Sequence, residues 1–268
     1  MLNVLYKYKP WNDYTKRILT DGELYFPSIG QLNDPFEGSI PYIFDNSELT
    51  TENIFQYMYK LARKNYPDWS EEQIYAYVSE EQKKGWLFNE EHIEQQNKET
   101  QKEVERLFGV FSLTTRSNNF LMWSHYTNSH TGICIGFDMD KIFYAVKGTL
   151  GKVKYQKELP IKHLEDKVEE FIERLLFTKA NIWEYEDEYR LIKINASRSS
   201  IKVPLDSITE ITLGCKISIE AKNEIISIVK EHIPSCKIYE ASLSKTKFEL
   251  DINGIKPEAI TGTIKYFV

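Results

Sequence analysis

Residues 110–137 read VFSLTTRSNNFLMWSHYTNSHTGICIGF, and this stretch decides the fold. Val110-Phe111-Ser112-Leu113-Thr114 is a short run of β-branched and aromatic residues, which predicts a strand. Asn119 to Tyr126 predicts a helical turn, and Gly132-Ile133-Cys134-Ile135-Gly136-Phe137 returns to strand. A brief helix between two short, mostly non-alternating strands indicates an α+β protein.

The same alternation extends in both directions. Upstream, Leu2 to Tyr8 predicts a strand and Asn12 to Leu19 a helix that Asn12 or Asp13 can cap. Asp21-Gly22 ends that helix, Glu23-Leu24-Tyr25-Phe26 predicts a second strand, and Asn33-Asp34-Pro35 forces a turn. Downstream, a short helix is expected from Asp138 to Tyr144 and a strand from Gly151 to Tyr155. An amphipathic helix is expected from Glu165 to Phe177, with Val168, Phe171, Ile172, Leu175 and Leu176 on one stripe. Strands follow at Glu188 to Ile194 and Ile208 to Leu213, a helix at Ala221 to Ile233, and strands at Lys237 to Ala241 and Thr263 to Val268.

Between residues 50 and 107 the character changes to Glu, Gln, Lys and Tyr, with helical spacing at Ile54, Tyr57, Met58 and Leu61. Pro67-Asp68-Trp69-Ser70 separates two helices there, and Ser70 with Gln73 forms a capping box. The expected architecture is a single α+β domain over 1–268. Two small packed β-sheets with flanking helices form it, and residues 50–107 are a helical insertion within it.

Composition narrows the function classes. Hydrophobic residues make up 41% of 268, enough for a core, and the formal charge is -6. An acidic chain gains no long-range attraction to phosphate backbones, so broad nucleic-acid binding is disfavoured. Cys134, Cys215 and Cys236 show no C-x-x-C spacing, which suits thiols in a reducing compartment. No signal-peptide pattern and no run of about 18 apolar residues is present, so a cytoplasmic protein without a membrane span is expected. The sequence carries no P-loop, no dinucleotide-binding glycine fingerprint, no H-E-x-x-H and no G-x-S-x-G.

Three runs set aromatic rings beside ionisable groups: Asn33-Asp34-Pro35-Phe36-Glu37, Trp123-Ser124-His125-Tyr126 and Trp183 to Arg190. Buried, each polar group needs a partner; at a site, rings and charges together suit a polar ligand. The first run also reads simply as a turn with a phenylalanine plug. In the second, Ser124, His125 and Tyr126 could grip a ribose and stack on a planar ring, or His125 could only bond a backbone carbonyl. The i,i+5 spacing of His125 and His130, with no nearby carboxylate or cysteine, argues against a zinc site, and no metal is expected. In the third, a strand starting near Glu186 would put Glu186, Glu188 and Arg190 on one face. Those two like charges repel unless Arg190 or a ligand compensates; an exposed ion-pair strip is the plain alternative. Arg116 could hold a phosphate or merely flank its loop. Lys7, the charge between Tyr6 and Tyr8, could face solvent or reach into a cleft.

As an ordered set, Leu5-Tyr6-Lys7-Tyr8, Leu24-Tyr25-Phe26, Asn33-Asp34-Pro35-Phe36-Glu37, Phe111-Ser112-Leu113-Thr114, Met122-Trp123-Ser124-His125-Tyr126, Gly132 to Phe137 and Glu188-Tyr189-Arg190 resemble a widespread uncharacterised bacterial family. Some members of that family lie near defence genes. The order of these elements is also distantly similar to that of ADP-ribosyltransferases. That resemblance implies NAD as substrate, with Tyr6 and Lys7 on the first element, Ser112 and Tyr126 on the middle one, and Glu188 or Glu186 as the late catalytic glutamate. Lys7 departs from the histidine or arginine of that superfamily.

The expected function is therefore an NAD-consuming, ADP-ribosyltransferase-like enzyme, a toxin or anti-phage effector. Glu188, Glu186 and His125 form its catalytic set. Tyr6, Lys7, Ser112, Trp123, Tyr126, Arg116 and Arg190 hold a small-molecule nucleotide, and the acceptor macromolecule is unassigned. The alternatives are a non-catalytic module binding a nucleotide or protein, and a nuclease or phosphodiesterase using His125, His130 and Glu186.

Overall fold

The computed structural model describes residues 4–37, 43–45, 47–85 and 90–255. The expected strand at Thr263 to Val268 lies outside the described residues. The chain divides into two compact units, one comprising 1–27, 108–153 and 182–268, the other 28–107 and 154–181.

In the first unit an eight-stranded mixed sheet runs in the order Leu250–Gly254, Lys237–Leu243, Ile208–Leu213, Ile133–Asp138, Val4–Lys9, Phe108–Thr114, Glu188–Ile194, Thr149–Lys152. All neighbours pair antiparallel except Ile208–Leu213 with Lys237–Leu243. That parallel pair needs a crossover, which the helix Ile219–His232 supplies. One wide sheet, with a two-stranded sheet of Glu23–Phe26 and Ser199–Lys202 whose Phe26 packs on Phe111, thus stands where two small packed sheets were expected. Ile133–Asp138, buried at its first five positions, shows that both faces of the wide sheet are covered at its centre.

Those faces hold different clusters. Leu5, Phe111, Ile135, Phe137, Leu191 and Ile211 belong to the main core, together with Ile18 and Leu19 of the helix Asp13–Asp21 and Ile225 and Val229 of the crossover helix. Tyr8 and Cys134 belong to a smaller cluster with Met122 and Trp123 of the helix Phe120–Tyr126. Because side chains alternate along a strand, Leu5, Lys7 and Lys9 share the first face, while Tyr6 and Tyr8 share the second.

Local signals explain the helix ends. Asn12 accepts the Thr15 amide and Asp138 accepts those of Asp140 and Lys141. Gly22 closes the first helix at φ 65°, its amide on the Arg17 carbonyl. A Cβ there would lie 2.1 Å from the Val203 oxygen, so only glycine fits.

In the second unit, helices Thr51–Asn65, Glu71–Lys83 and Glu90–Leu107 fill the polar stretch, and no strand occurs among its described residues from 50 to 107. The Ser70–Gln73 capping box is present, and Ala62, Ile74 and Val78 pack with Phe55, Met58, Tyr59 and Trp69. This unit also contains the helix Val168–Leu176, three residues shorter at its start than the expected Glu165. Two short parallel ribbons, Ile43–Phe44 with Ile161–Lys162 and Lys154–Gln156 with Thr178–Ala180, complete it. The expected strand Gly151 to Tyr155 is two strands, Thr149–Lys152 and Lys154–Gln156, one in each unit. No helix among the described residues is long and apolar enough to cross a membrane.

Candidate functional site

Strand register assembles the first part of the site. Tyr6 pairs with Thr114, and Thr114 pairs with Glu188, so the three lie in one row across the sheet, on the face of the smaller cluster. Arg190 pairs with Ser112 and shares that face. Tyr6 and Glu188 are therefore two strand spacings apart, about 10 Å.

Glu188 and Arg190 are 3% and 0% exposed and form a two-point ion pair, Nε–Oε1 2.9 Å and Nη2–Oε2 3.0 Å. Glu186 is 3% exposed and accepts a hydrogen bond from the Tyr126 hydroxyl. It does not sit on the strand as expected: residues 181–186 form a 3-10 helix and the strand begins at Glu188. Asp187 between them has φ 44°, a left-handed conformation that breaks the two-residue period.

Asp187 is the residue that sequence reasoning passed over. It accepts from Thr115, pairs with Lys152 at 2.8 Å, and lies 4.0 Å from Arg116. The Lys152 and Thr115 hydrogen bonds hold its carboxyl below the usual range. No signal in the local sequence foretold this, since Lys152 and Thr115 come from two other strands' ends.

The loop after Phe108–Thr114 carries Arg116. The Tyr8 hydroxyl donates to the Arg116 carbonyl at 2.8 Å and accepts the Asn119 amide at 3.1 Å, pinning the loop from below. Asn119 in turn caps the following helix and donates to the Tyr185 carbonyl at 2.6 Å. Arg116, Thr115, Ser117 and Asn118 line an open groove of about 680 Å³ with Tyr6 and residues 249–253. Burial, reinforced by the Glu210 carboxylate that accepts its hydroxyl at 3.0 Å, raises the Tyr6 pKa.

The remaining predicted residues separate. His125 is exposed, its Nδ1 3.1 Å from the Tyr185 hydroxyl. Trp123 is fully buried, its indole N–H on the Ser117 carbonyl at 3.0 Å and its ring edge-on to Tyr8, so it offers no face to a ligand. Lys7 points to the other face of the sheet from Glu188, which its position one residue after Tyr6 requires. Its ammonium donates to the Ser112 carbonyl at 2.5 Å and lies 4.3 Å from the Phe111 ring centroid. Only one bridge joins Val4–Lys9 to Phe108–Thr114, so the strands part beyond Tyr6, and Lys7 occupies the parting.

His130 is 5% exposed, packs on Phe120 with ring centroids 4.9 Å apart, and ends a turn in which Asn128, Ser129 and His130 all have positive φ. Burial lowers its pKa. In the second unit Asp45, Glu48 and His163 offer metal-ligand atoms within 4.8 Å of one another. They already engage nearer partners: His163 Nδ1 lies 2.7 Å from Glu48, whose other oxygen accepts the Leu164 amide, and Asp45 accepts from Ser47. None of them belongs to the predicted site.

Fold and site together define a mixed α/β protein with a paired-charge cluster on one face of a wide sheet. Residues 122–191, which include Tyr126, Glu186, Glu188 and Arg190, match the model of a family described as a protein of unknown function (DUF2971). No curated protein and no solved structure matches the chain.

Proposed function

We propose that the first unit is an NAD-consuming, ADP-ribosyltransferase-like enzyme acting on the Tyr6–Glu188 face of its sheet. The observation that carries this reading is the pair of buried carboxylates Glu186 and Glu188, two residues apart and each held by a donor, Tyr126 for the first and Arg190 for the second. Cleavage of the nicotinamide–ribose bond builds positive charge on the sugar. A carboxylate held in place in advance stabilises that state more than the neutral sugar of the ground state. Arg190 orients Glu188 through both oxygens, and the Tyr126 hydroxyl orients Glu186. In the open groove at Tyr6, Arg116 is the cation that would meet the phosphates, beside the carboxylates of Glu249 and Asp251.

The nuclease reading has less support. It needs His125 and His130 together, and His130 is buried against Phe120 while His125 is exposed beside Tyr185.

The test is incubation of the purified full chain with NAD and chromatography of the products. Free nicotinamide, lost in Glu186→Gln, is expected. NAD bound but unconsumed would make the protein a binding module, and divalent-metal-dependent RNA fragments would make it a nuclease.

A further inference from the structure

The face of the sheet opposite Glu188 carries a cavity of about 600 Å³, within the range of small-molecule sites. It is lined by Lys9, Asn12, Tyr14, Thr15, Arg17, Glu23, Tyr25, Phe111 and Ser200 among others, all in the first unit. We propose that this cavity binds a phosphorylated small molecule bearing a planar ring, at a site separate from the carboxylate face.

Lys9 carries the argument. It lies on the face it shares with Lys7 and Leu5 and is partly exposed where it lines the cavity. Among the described residues no carboxylate or carbonyl takes a hydrogen bond from its ammonium. Burial lowers its pKa, with no neighbouring acid to offset the cost. A cation held in that way is an incomplete arrangement, and an anion entering the cavity completes it. Arg17 adds a second positive charge from the adjoining helix, against the single carboxylate of Glu23.

The wall supplies the other half of the recognition. Tyr14 and Tyr25 are 78% and 44% exposed, and the Arg17 guanidinium lies 5.9 Å from the Tyr14 ring centroid. An exposed tyrosine already paired with a guanidinium offers a planar ring both stacking and cation–π contact. Phosphate on Lys9 with a ring near Tyr14 or Tyr25 satisfies both groups with one ligand.

The experiment is isothermal titration of the full chain with ADP, adenosine and inorganic phosphate at fixed ionic strength, alongside thermal melting. ADP should bind and raise the melting temperature, and adenosine should bind at least tenfold more weakly. Lys9→Gln should melt no lower than wild type without ligand, because a partly buried charge that no carboxylate bonds is gone, yet lose at least tenfold in ADP affinity. Arg17→Gln, on an exposed position, should weaken ADP to a similar degree without altering the unliganded melt. Lys237→Gln, at an exposed position outside both sites, should leave ADP binding unchanged. Loss of ADP binding in Arg116→Gln but not in Lys9→Gln would place the ligand in the groove on the other face and overturn the proposal. Equal affinity for adenosine and ADP would overturn it as well, as would no binding of ADP at millimolar concentration. Failure of NAD cleavage would leave the proposal standing, because the two faces are tested by different variants.

Discussion

Arg190 spans Glu188 through two parallel hydrogen bonds of 2.9 and 3.0 Å, with both side chains almost wholly out of water. The pair lies two residues apart on one strand, so alternation alone brings both to the same face, and the guanidinium fork matches the carboxylate edge.

Breaking that pair should cost more than breaking any surface ion pair here. Glu188→Gln removes one charge of a buried pair, and the expected loss is about 3–5 kcal/mol, read as a lower urea midpoint. Glu188→Gln combined with Arg190→Met should recover much of the loss. A Glu188→Gln protein that unfolds with the wild-type midpoint would show that the pair does not hold the fold.

Tyr126→Phe removes a donor from the buried Glu186 carboxylate. A loss of about 1–3 kcal/mol is expected. Under the proposed reaction nicotinamide release should fall as well, with NAD still bound. Unchanged stability and turnover together would show that the hydroxyl contributes to neither.

Acid sensitivity should be traceable to Asp187. Its folded pKa is held below the unfolded one by Lys152 and Thr115, so its contribution is complete above the ordinary aspartate range. It is lost as pH falls through the folded value. The stability difference between wild type and Asp187→Asn should therefore be constant near neutral pH and shrink in acid. A difference that persists at the lowest pH would assign the effect to shape rather than charge.

On the alkaline side Lys7 sets the opposite limb. Burial, and then the neighbouring Lys9, push its pKa well down, so the unfolded chain binds more protons than the folded one between the two values. Stability should rise with pH across that window, up to the ordinary lysine value of about 10.4. In Lys7→Met the rise should be reduced, as urea midpoints between pH 7 and 10 would show. A slope identical to wild type would mean that the ammonium stays charged in the fold.

Periodicity and capping determined much of this protein from its sequence. Glu188–Ile194 and Ile208–Leu213 are strands with the expected bounds, and the Ser70–Gln73 box caps its helix, because these features depend on neighbours within a few residues. The alternation Tyr6-Lys7-Tyr8-Lys9 also contained the separation of Lys7 from Tyr6, and with it the lysine face beneath the cavity. Tertiary structure alone decided the rest. The break at Asp187 depends on Lys152, Thr115 and a left-handed backbone, and it moves Glu186 off the strand. Trp123 became a buried support for Tyr8, and the row Tyr6–Thr114–Glu188 arose from pairing between strands far apart in the chain. Local sequence encodes which face a side chain takes on its own strand. Which strands lie side by side, and hence which charges meet, is settled by how the whole sheet covers both of its faces.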